Sequence, residues 1–162
     1  SNTNLSGAYL YGANLYDSNL YGANLNGANL NYADLSTAIL DDANLYGANL
    51  NGADLSDAYL YGANLNDANL HDANLYNAHL PGANLSNADL TGANLYYADL
   101  TGADLTGANL TFAGLFDADL SYADLTGADL IYADLTGVYW YDTTCPDGTN
   151  SDDNGYNCRN NL

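Results

Sequence analysis

The stretch ANLSNADLTGANLYYADLTGADLTGANL, residues 83–110, repeats one unit of five residues without interruption. The unit is Ala-(Asn/Asp)-Leu followed by two variable residues. Leu occupies every fifth position from Leu5 to Leu135, which places 27 leucines in one register. A small residue, nearly always Ala, stands two positions before each of them. A five-residue period therefore organises most of the chain.

This period fits neither an α-helix nor a continuous β-strand. Helical faces recur every 3.6 residues, so Leu at every fifth position would drift around a helix axis. In an uninterrupted strand, successive Leu side chains would alternate between the two faces. A short extended segment followed by a turn does fit, because Ala and Leu, two residues apart, share one side of the segment. The Gly, Asp and Asn residues that are frequent in the last two positions then turn the chain.

The pattern resembles the pentapeptide-repeat family, whose consensus is A(D/N)LXX, over about residues 3–140. The resemblance implies an all-β fold, namely a right-handed quadrilateral parallel β-helix in which four pentapeptides form one coil. About 6.5 coils, stacked at the usual strand spacing of about 4.8 Å, would give a rod about 31 Å long. Leu and Ala would fill its interior. The predicted core positions include Leu35, Leu55, Leu75, Leu95, Leu115, Ala53, Ala73 and Ala93.

The repeat predicts two regions. Residues 1–140 are expected to form the β-helix, and residues 141–162 an Asp- and Gly-rich C-terminal cap or tail. Near the boundary, Val138 takes the place of Ala in the repeat and Trp140 the place of Leu. These larger side chains are predicted to plug the interior, because solenoids need capped ends. The N-terminal repeats show no comparable cap.

Cys145 and Cys158 are the only cysteines, and both lie in the predicted cap. We expect them to form a disulfide, which would stabilise the cap by about 3 kcal/mol in the chain-entropy description. Two free thiols are the alternative. A disulfide indicates an oxidising compartment, so the sequence predicts a secreted or cell-surface protein, periplasmic or extracellular.

The charge of the chain limits its partners. All 20 acidic residues are Asp, Arg159 is the one basic residue, and the net charge is -19. A polyanion would repel the nucleic-acid backbone, which excludes nucleic acid as a direct partner. No apolar run approaches the roughly 20 residues that cross a bilayer, so no membrane insertion is expected. Basic proteins, cations, neutral glycans and further copies of the chain remain as partners.

Little in the sequence indicates catalysis, and we expect no enzyme activity and no cofactor. Asn150, Asp152 and Asn154, followed by Gly155, match the start of a calcium loop with oxygen ligands at alternate positions. The match ends there, since Asn161 stands where a bidentate Glu would be expected. A turn-rich segment is the alternative to a calcium site. The two histidines, His71 and His79, fall at outward positions without an evident third ligand.

Aromatic residues form one candidate interaction surface. Tyr76, Tyr96 and Phe116 are 20 residues apart and therefore share one column of the coil, where their rings are expected to stack. Such a column could bind sugars or another protein. The alternative is that the rings only stabilise the stacked coils.

These observations favour a non-enzymatic secreted or cell-surface structural and interaction module, which in its strongest form assembles end to end into filaments. One alternative is a DNA mimic that binds a type II topoisomerase, since the resemblance implies relatives that bind DNA gyrase in this way. About 19 charges over about 31 Å give about one charge per 1.6 Å, close to the charge spacing of duplex DNA. The other alternative is a glycan-binding module that uses the aromatic column.

Overall fold

A computed structural model describes residues 3–155 and 157–158 of the chain. Each pentapeptide contributes a single-residue parallel bridge to the residue 20 positions later, from Asn4 with Asn24 to Asp124 with Thr144. Four pentapeptides therefore make one coil, and successive coils stack in four parallel columns. The one helix among the described residues is a 3₁₀ helix, Ser151–Asn154. No helix within these residues is long and apolar enough to cross a bilayer.

Backbone hydrogen bonds join each coil to its neighbours in a repeating scheme. The N–H of Leu75 donates to the carbonyl oxygen of Asn94 in the next coil at 2.7 Å, and the N–H of Asn94 donates to the carbonyl oxygen of Ala73 at 2.9 Å. The scheme recurs along the rod, so interior coils satisfy the N–H and C=O groups of the extended segments on both sides.

Each corner is a tight turn closed by the repeat itself. The N–H of Ala78 donates to the carbonyl oxygen of Leu75 at 3.1 Å, and equivalent bonds recur at the other corners. The second corner residue has a positive φ at every corner from Gly7 to Asp142. This conformation suits Gly, Asn and Asp and is unfavourable for β-branched and aromatic side chains. The Gly-, Asn- and Asp-rich corners of the sequence follow from this requirement.

The Leu and Ala columns fill the interior of the rod. Side chains of the middle coils are fully buried, with 0% of the surface of Leu75 exposed. The first coil is less covered, and Leu5, Leu10 and Leu15 are only partly buried. Each position predicted for the core is 0–1% exposed in the structure: Leu35, Leu55, Leu75, Leu95, Leu115, Ala53, Ala73 and Ala93.

The Asn or Asp between Ala and Leu has a structural role beyond facing solvent. Its side-chain oxygen accepts a hydrogen bond from the backbone N–H two residues later, as Asn94 Oδ1 does from Tyr96 at 3.1 Å. We call this residue the central residue of the repeat. Where the central residue is His79, the residue two positions on is Pro81, which has no N–H to satisfy. An Asx oxygen at the central position therefore pairs the corner N–H in most repeats. After the central residue Tyr59, the N–H of Tyr61 donates instead to Asp41 Oδ1 at 2.9 Å.

The coil continues past the predicted boundary at residue 140. Thr143 and Cys145 take the Ala and Leu places of a further pentapeptide, and both are 0% exposed. Between them, Thr144 forms the parallel bridge with Asp124. The cap therefore begins one pentapeptide later than expected, because a small Thr and a compact Cys fill the same interior positions as Ala and Leu.

The chain then folds back over the end of the coil. Thr144 pairs in antiparallel fashion with Asn150, and the N–H of Cys145 donates to the carbonyl oxygen of Thr149 at 2.7 Å. Cys145 and Cys158 form a disulfide. Trp140 is 5% exposed and lines the interior, as predicted for a plug. Val138, predicted to share that role, is only partly buried.

Candidate interaction site

The last complete coil carries an Asp at the central position of each of its four sides. These residues, which we call the Asp ring, are Asp119, Asp124, Asp129 and Asp134. Each side-chain Oδ1 accepts a hydrogen bond from the backbone N–H two residues later, at 2.9–3.0 Å. The second carboxylate oxygen is not needed for this bond. The ring therefore adds one negative charge to every side of the rod at the same height.

The fold itself does not require these charges. Asn94, Asn74 and Asn44 make the same hydrogen bond with a neutral amide oxygen. Moreover, Asp99 bridges to Asp119 and Asp104 to Asp124, which places like charges about one strand spacing apart. Like charges directly opposite each other on neighbouring strands are destabilising. Asp119 and Asp124 thus carry a cost to stability that function can explain, whereas Asp129 and Asp134 bridge to the uncharged Asn109 and Gly114.

The central position of the repeat contains a sequence signal for this ring. Before residue 99, the central residues of the repeat are mostly Asn, and only Asp34, Asp54 and Asp89 are acidic. From Asp99 to Asp134, six of the eight central residues are Asp. The identity of the central residue therefore distinguishes the acidic C-terminal coils from the rest of the rod.

The aromatic column predicted from the sequence forms a cluster of a different geometry. Tyr96 contacts Phe116 with ring centroids 5.9 Å apart at an angle of 61°. Tyr76 makes its ring contact with Tyr97, at 5.5 Å and 75°, and Tyr97 in turn contacts Phe116 at 5.6 Å and 80°. The prediction of a stacked column is therefore wrong, because the rings meet edge to face, an arrangement that the aromatic quadrupole favours.

A surface notch adjoins this cluster at Gly114. It is the one central position of the repeat that is occupied by Gly, so the Asx side chain is missing there. The resulting cavity has a volume of about 380 Å³. Tyr96 walls the notch at one end of the side that holds Gly114, whereas Phe112 and Tyr132 stack on each other at the corner at the other end of this side, with centroids 5.0 Å apart and 15° between the rings. The Asp134 carboxylate completes the lining.

The residues of the predicted calcium loop hold the tail against the coil. Asn150 caps the 3₁₀ helix by accepting from the N–H of Asp152 at 2.8 Å, and it donates to Asp142 at 2.7 Å. Asp152 accepts from the N–H of Asp142 at 3.0 Å. Asn161 and the side chain of Asn154 lie outside the described residues. The described part of the chain contains no group of three His, Cys, Asp or Glu side chains suited to a metal, and calcium binding stays a prediction.

The two histidines contact local partners on the surface. His79 stacks on Tyr59 in the preceding coil, with centroids 5.1 Å apart and 13° between the rings. His71 lies 3.3 Å from the carboxylate of Asp72. The structure therefore does not bring the two imidazoles into one shared contact.

Two corner tyrosines are coupled to carboxylates of the following coil. A hydrogen bond to Asp42, reinforced by the negative charge of Asp42, raises the pKa of Tyr21. A hydrogen bond to Asp67 raises the pKa of Tyr46 in the same way. In both pairs the phenol donates to a carboxylate, which favours the neutral form of the tyrosine.

Comparison with known proteins agrees with this geometry. The family model described as pentapeptide repeats matches eight copies, over residues 3–42, 38–75, 68–107 and 108–139. No protein with a curated description matches the chain significantly in sequence. Among solved structures, a pentapeptide repeat protein from the thylakoid lumen of Arabidopsis thaliana is 35% identical, with 68% of this chain and 74% of that chain covered and a TM-score of 0.61.

Two cyanobacterial proteins also match. HetL, a pentapeptide repeat protein involved in heterocyst differentiation regulation in Nostoc sp. strain PCC 7120, is 37% identical over 90% of this chain and 69% of its own, with a TM-score of 0.37. Rfr23 of Cyanothece 51142 is 32% identical over 74% of this chain and 85% of its own, with a TM-score of 0.45. The parallel bridges and backbone hydrogen bonds between successive coils define the chain as a four-sided parallel β-helix. It belongs to the pentapeptide-repeat family, whose members form right-handed quadrilateral β-helices.

Proposed function

We propose that the chain is a non-enzymatic protein-interaction module that uses its acidic C-terminal coils to bind a basic protein surface in an oxidising compartment. The observation that carries the proposal is the Asp ring, where carboxylates stand at positions that the fold can fill with Asn. Charge complementarity guides association and selects partners. A rigid rod with a net charge of -19 is suited to basic partners.

The non-enzymatic part of the proposal rests on what the polar side chains do. The central Asn and Asp oxygens are hydrogen-bonded to corner N–H groups, as at Asn94 and Asp119. His79 is stacked on Tyr59, and Asn150 and Asp152 anchor the tail. These contacts give the polar groups structural roles.

The proposed location rests on the disulfide. Cys145 occupies a buried Leu place of the last pentapeptide, and its bond to Cys158 joins the tail to the end of the core. Disulfides persist in oxidising compartments such as the periplasm, the cell exterior and related lumenal spaces. The Arabidopsis relative is described as a protein of the thylakoid lumen, which is consistent with a location outside the cytoplasm.

Two triple variants with the same charge change test the use of the Asp ring. One carries Asp119→Asn, Asp124→Asn and Asp129→Asn, and the control carries Asp34→Asn, Asp54→Asn and Asp89→Asn. All six substitutions preserve the Oδ1 acceptor. Each tagged protein is incubated with the secreted or lumenal proteins of its own source at low salt, and the bound proteins are quantified.

We expect the ring variant to lose partners that the wild type and the control retain. We also expect partner binding to weaken as the salt concentration rises, because exposed charges are screened. Equal binding by the two variants would contradict a role for the ring.

We also propose that the rods assemble end to end into filaments, which would give the protein a structural role. The C-terminal end of the coil is covered by the antiparallel pairing of Thr144 with Asn150 and by the disulfide. End-to-end stacking would therefore have to use the outer face of the cap. Electron microscopy without reductant tests this, and filaments with a subunit repeat near the length of the rod would support it. Discrete monomers or dimers would exclude it.

The DNA-mimic alternative rests on the linear charge density. A mimic of duplex DNA needs charge that runs along the rod, whereas the Asp ring runs around it at one height. We therefore rank this alternative second. Inhibition of gyrase supercoiling at submicromolar protein would support it, and the absence of an effect at tens of micromolar would exclude it.

A further inference from the structure

The notch at Gly114 has aromatic walls and an acidic edge. A Cβ atom at Gly114 would collide with the ring of Tyr96, so the ring can lie over this position only because the side chain is absent. The backbone is unaffected, since Gly114 still donates to the carbonyl oxygen of Ala93 at 2.9 Å and accepts from Leu95 at 2.7 Å. The notch is therefore a local change of side chains on an intact coil.

The walls of the notch include two residues in an unfavourable backbone conformation. Phe112 and Tyr132 occupy second corner positions with φ of 61° and 60°. Most neighbouring corners have Gly at this position, and bulky side chains are rare in the left-handed region. Both residues are largely exposed, at 61% and 77% of their surface, so burial in the core does not explain them. Residues held at such a cost often mark functional sites.

The chemistry of the lining identifies a class of occupant. Tyr96, Phe112 and Tyr132 present π-electron density, which attracts cations. Asp134 adds a carboxylate at the edge of the notch, and a carboxylate can accept several hydrogen bonds at once. The surrounding protein is strongly negative, which raises the local concentration of cations. A guanidinium group combines a positive charge, a flat face that stacks on aromatic rings and a fork of donors that fits a carboxylate.

We propose that this notch binds an arginine side chain presented by the partner protein. The guanidinium lies against the rings of Phe112 and Tyr132 and donates to the Asp134 carboxylate. The proposal rests on the function proposed above and deepens it, because it assigns the specific contact to Asp134. The other three members of the Asp ring supply attraction at longer range. The two can fail separately, because the triple variant of the ring leaves Asp134 intact.

Arginine binding is tested on the full chain, with the disulfide intact, by nitrogen-15 NMR at low salt. The probes are N-acetyl-arginine amide, its uncharged isostere N-acetyl-citrulline amide, and methyl β-glucoside. We expect the arginine probe to shift the amide signals around Gly114, Phe112 and Tyr132 and to saturate in the millimolar range, as a single-side-chain contact would. We expect citrulline to bind about tenfold more weakly, since it retains the shape without the charge.

Three variants connect the binding to the notch. Asp134→Asn keeps the corner hydrogen bond and should weaken arginine binding about tenfold, about 1.4 kcal/mol. Gly114→Asn places the consensus side chain where the Tyr96 ring now lies, which forces the ring to move, and should abolish the response. Phe112→Gly should lose binding while the fold is retained, since Gly suits a positive φ, although the stacking on Tyr132 is lost. Thermal unfolding of this variant separates loss of binding from loss of the fold.

Two control variants carry the same kinds of substitution, Asp→Asn and aromatic→Gly, at positions outside the notch. Asp54→Asn lies on the same side of the rod, and Tyr32→Gly removes another aromatic residue from a corner with φ of 56°. Neither should change arginine binding. Shifts spread over many Asp residues without saturation, or equal effects of Asp134→Asn and Asp54→Asn, would overturn the proposal. Saturable binding of the glucoside with no response to arginine would replace it with a glycan site.

Discussion

The hydroxyl oxygen of Ser151 accepts a hydrogen bond from the backbone N–H of Thr143 at 3.0 Å, and both residues are 0% exposed. The N–H of Ser151 donates in return to the carbonyl oxygen of Thr143 at 2.8 Å. The Ser151 hydroxyl donates to the carbonyl oxygen of Trp140. One serine thus closes the last coil by pairing backbone groups that no further coil would pair.

We expect Ser151→Ala to destabilise the cap by about 1–3 kcal/mol, because it leaves the buried N–H of Thr143 without an acceptor. Denaturant unfolding measures the global effect, and hydrogen exchange at the Thr143 amide measures local opening of the end. Ser56→Ala is the matched control and should stay within about 0.5 kcal/mol of the wild type. Unchanged exchange at Thr143 in Ser151→Ala would show that the hydroxyl does not hold the cap.

The interior of the rod was predictable from the sequence because one repeat position corresponds to one environment. Leu75 and Ala73 could be assigned to the core from their register alone, and both are buried. The same register also reaches Thr143 and Cys145, and counting in fives past Trp140 would have extended the coil correctly. The continuation is not evident in the sequence, because Thr143 and Cys145 differ from the Ala and Leu of the repeat.

The cap and the notch depend on contacts that the repeat does not encode. The bonds of Ser151 join residues that have no common register, so only the folded tail reveals them. At Gly114 the sequence does give a signal, a missing Asx in the central position. Its consequence depends on how the Tyr96 ring lies over the gap, which sequence spacing does not determine.

We expect Leu75→Ala to cost about 2–5 kcal/mol, because it leaves a cavity in a fully packed interior. Ala73→Leu should cost about 1–3 kcal/mol through overpacking of the same coil. Leu15→Ala is the control, since Leu15 lies in the first coil and is only partly buried. Its cost should be clearly smaller in the same denaturant experiment. Equal costs for Leu15→Ala and Leu75→Ala would contradict the burial gradient along the rod.

The pairing of Tyr21 with Asp42 predicts a change in the alkaline range. Because the pKa of Tyr21 is raised in the folded protein, the stabilising effect of the pair is complete below the pKa of about 10 of an unfolded tyrosine. It is lost as the pH rises through the higher pKa of the folded state. The difference between the 295 nm titrations of the wild type and Tyr21→Phe isolates this phenol.

In that titration, we expect Asp42→Asn to lower the Tyr21 midpoint, because it removes the charge that disfavours the phenolate. Asp57→Asn removes a charge elsewhere and should leave the midpoint in place. If both substitutions moved the midpoint equally, the general negative charge of the rod, rather than the pair, would be responsible.

Thr37 combines two unfavourable features at one corner. It is a β-branched residue with φ of 57°, and its hydroxyl is buried without a hydrogen-bond partner. A left-handed conformation costs an L-residue about 1–2 kcal/mol, whereas Gly adopts it readily. We therefore expect Thr37→Gly to stabilise the protein by about 1 kcal/mol, after the loss of backbone entropy that Gly brings. Denaturant unfolding at neutral pH measures the change.

The reciprocal substitution separates the backbone effect from the buried hydroxyl. Gly102 occupies the same corner position with φ of 66°, and the space around an added Cβ is open. Gly102→Thr should therefore destabilise by about 1–2 kcal/mol through the backbone alone. A neutral Gly102→Thr combined with a stabilising Thr37→Gly would assign the gain to removal of the unpaired hydroxyl. Destabilisation by Thr37→Gly would show that the Thr side chain makes a favourable contact that outweighs both costs.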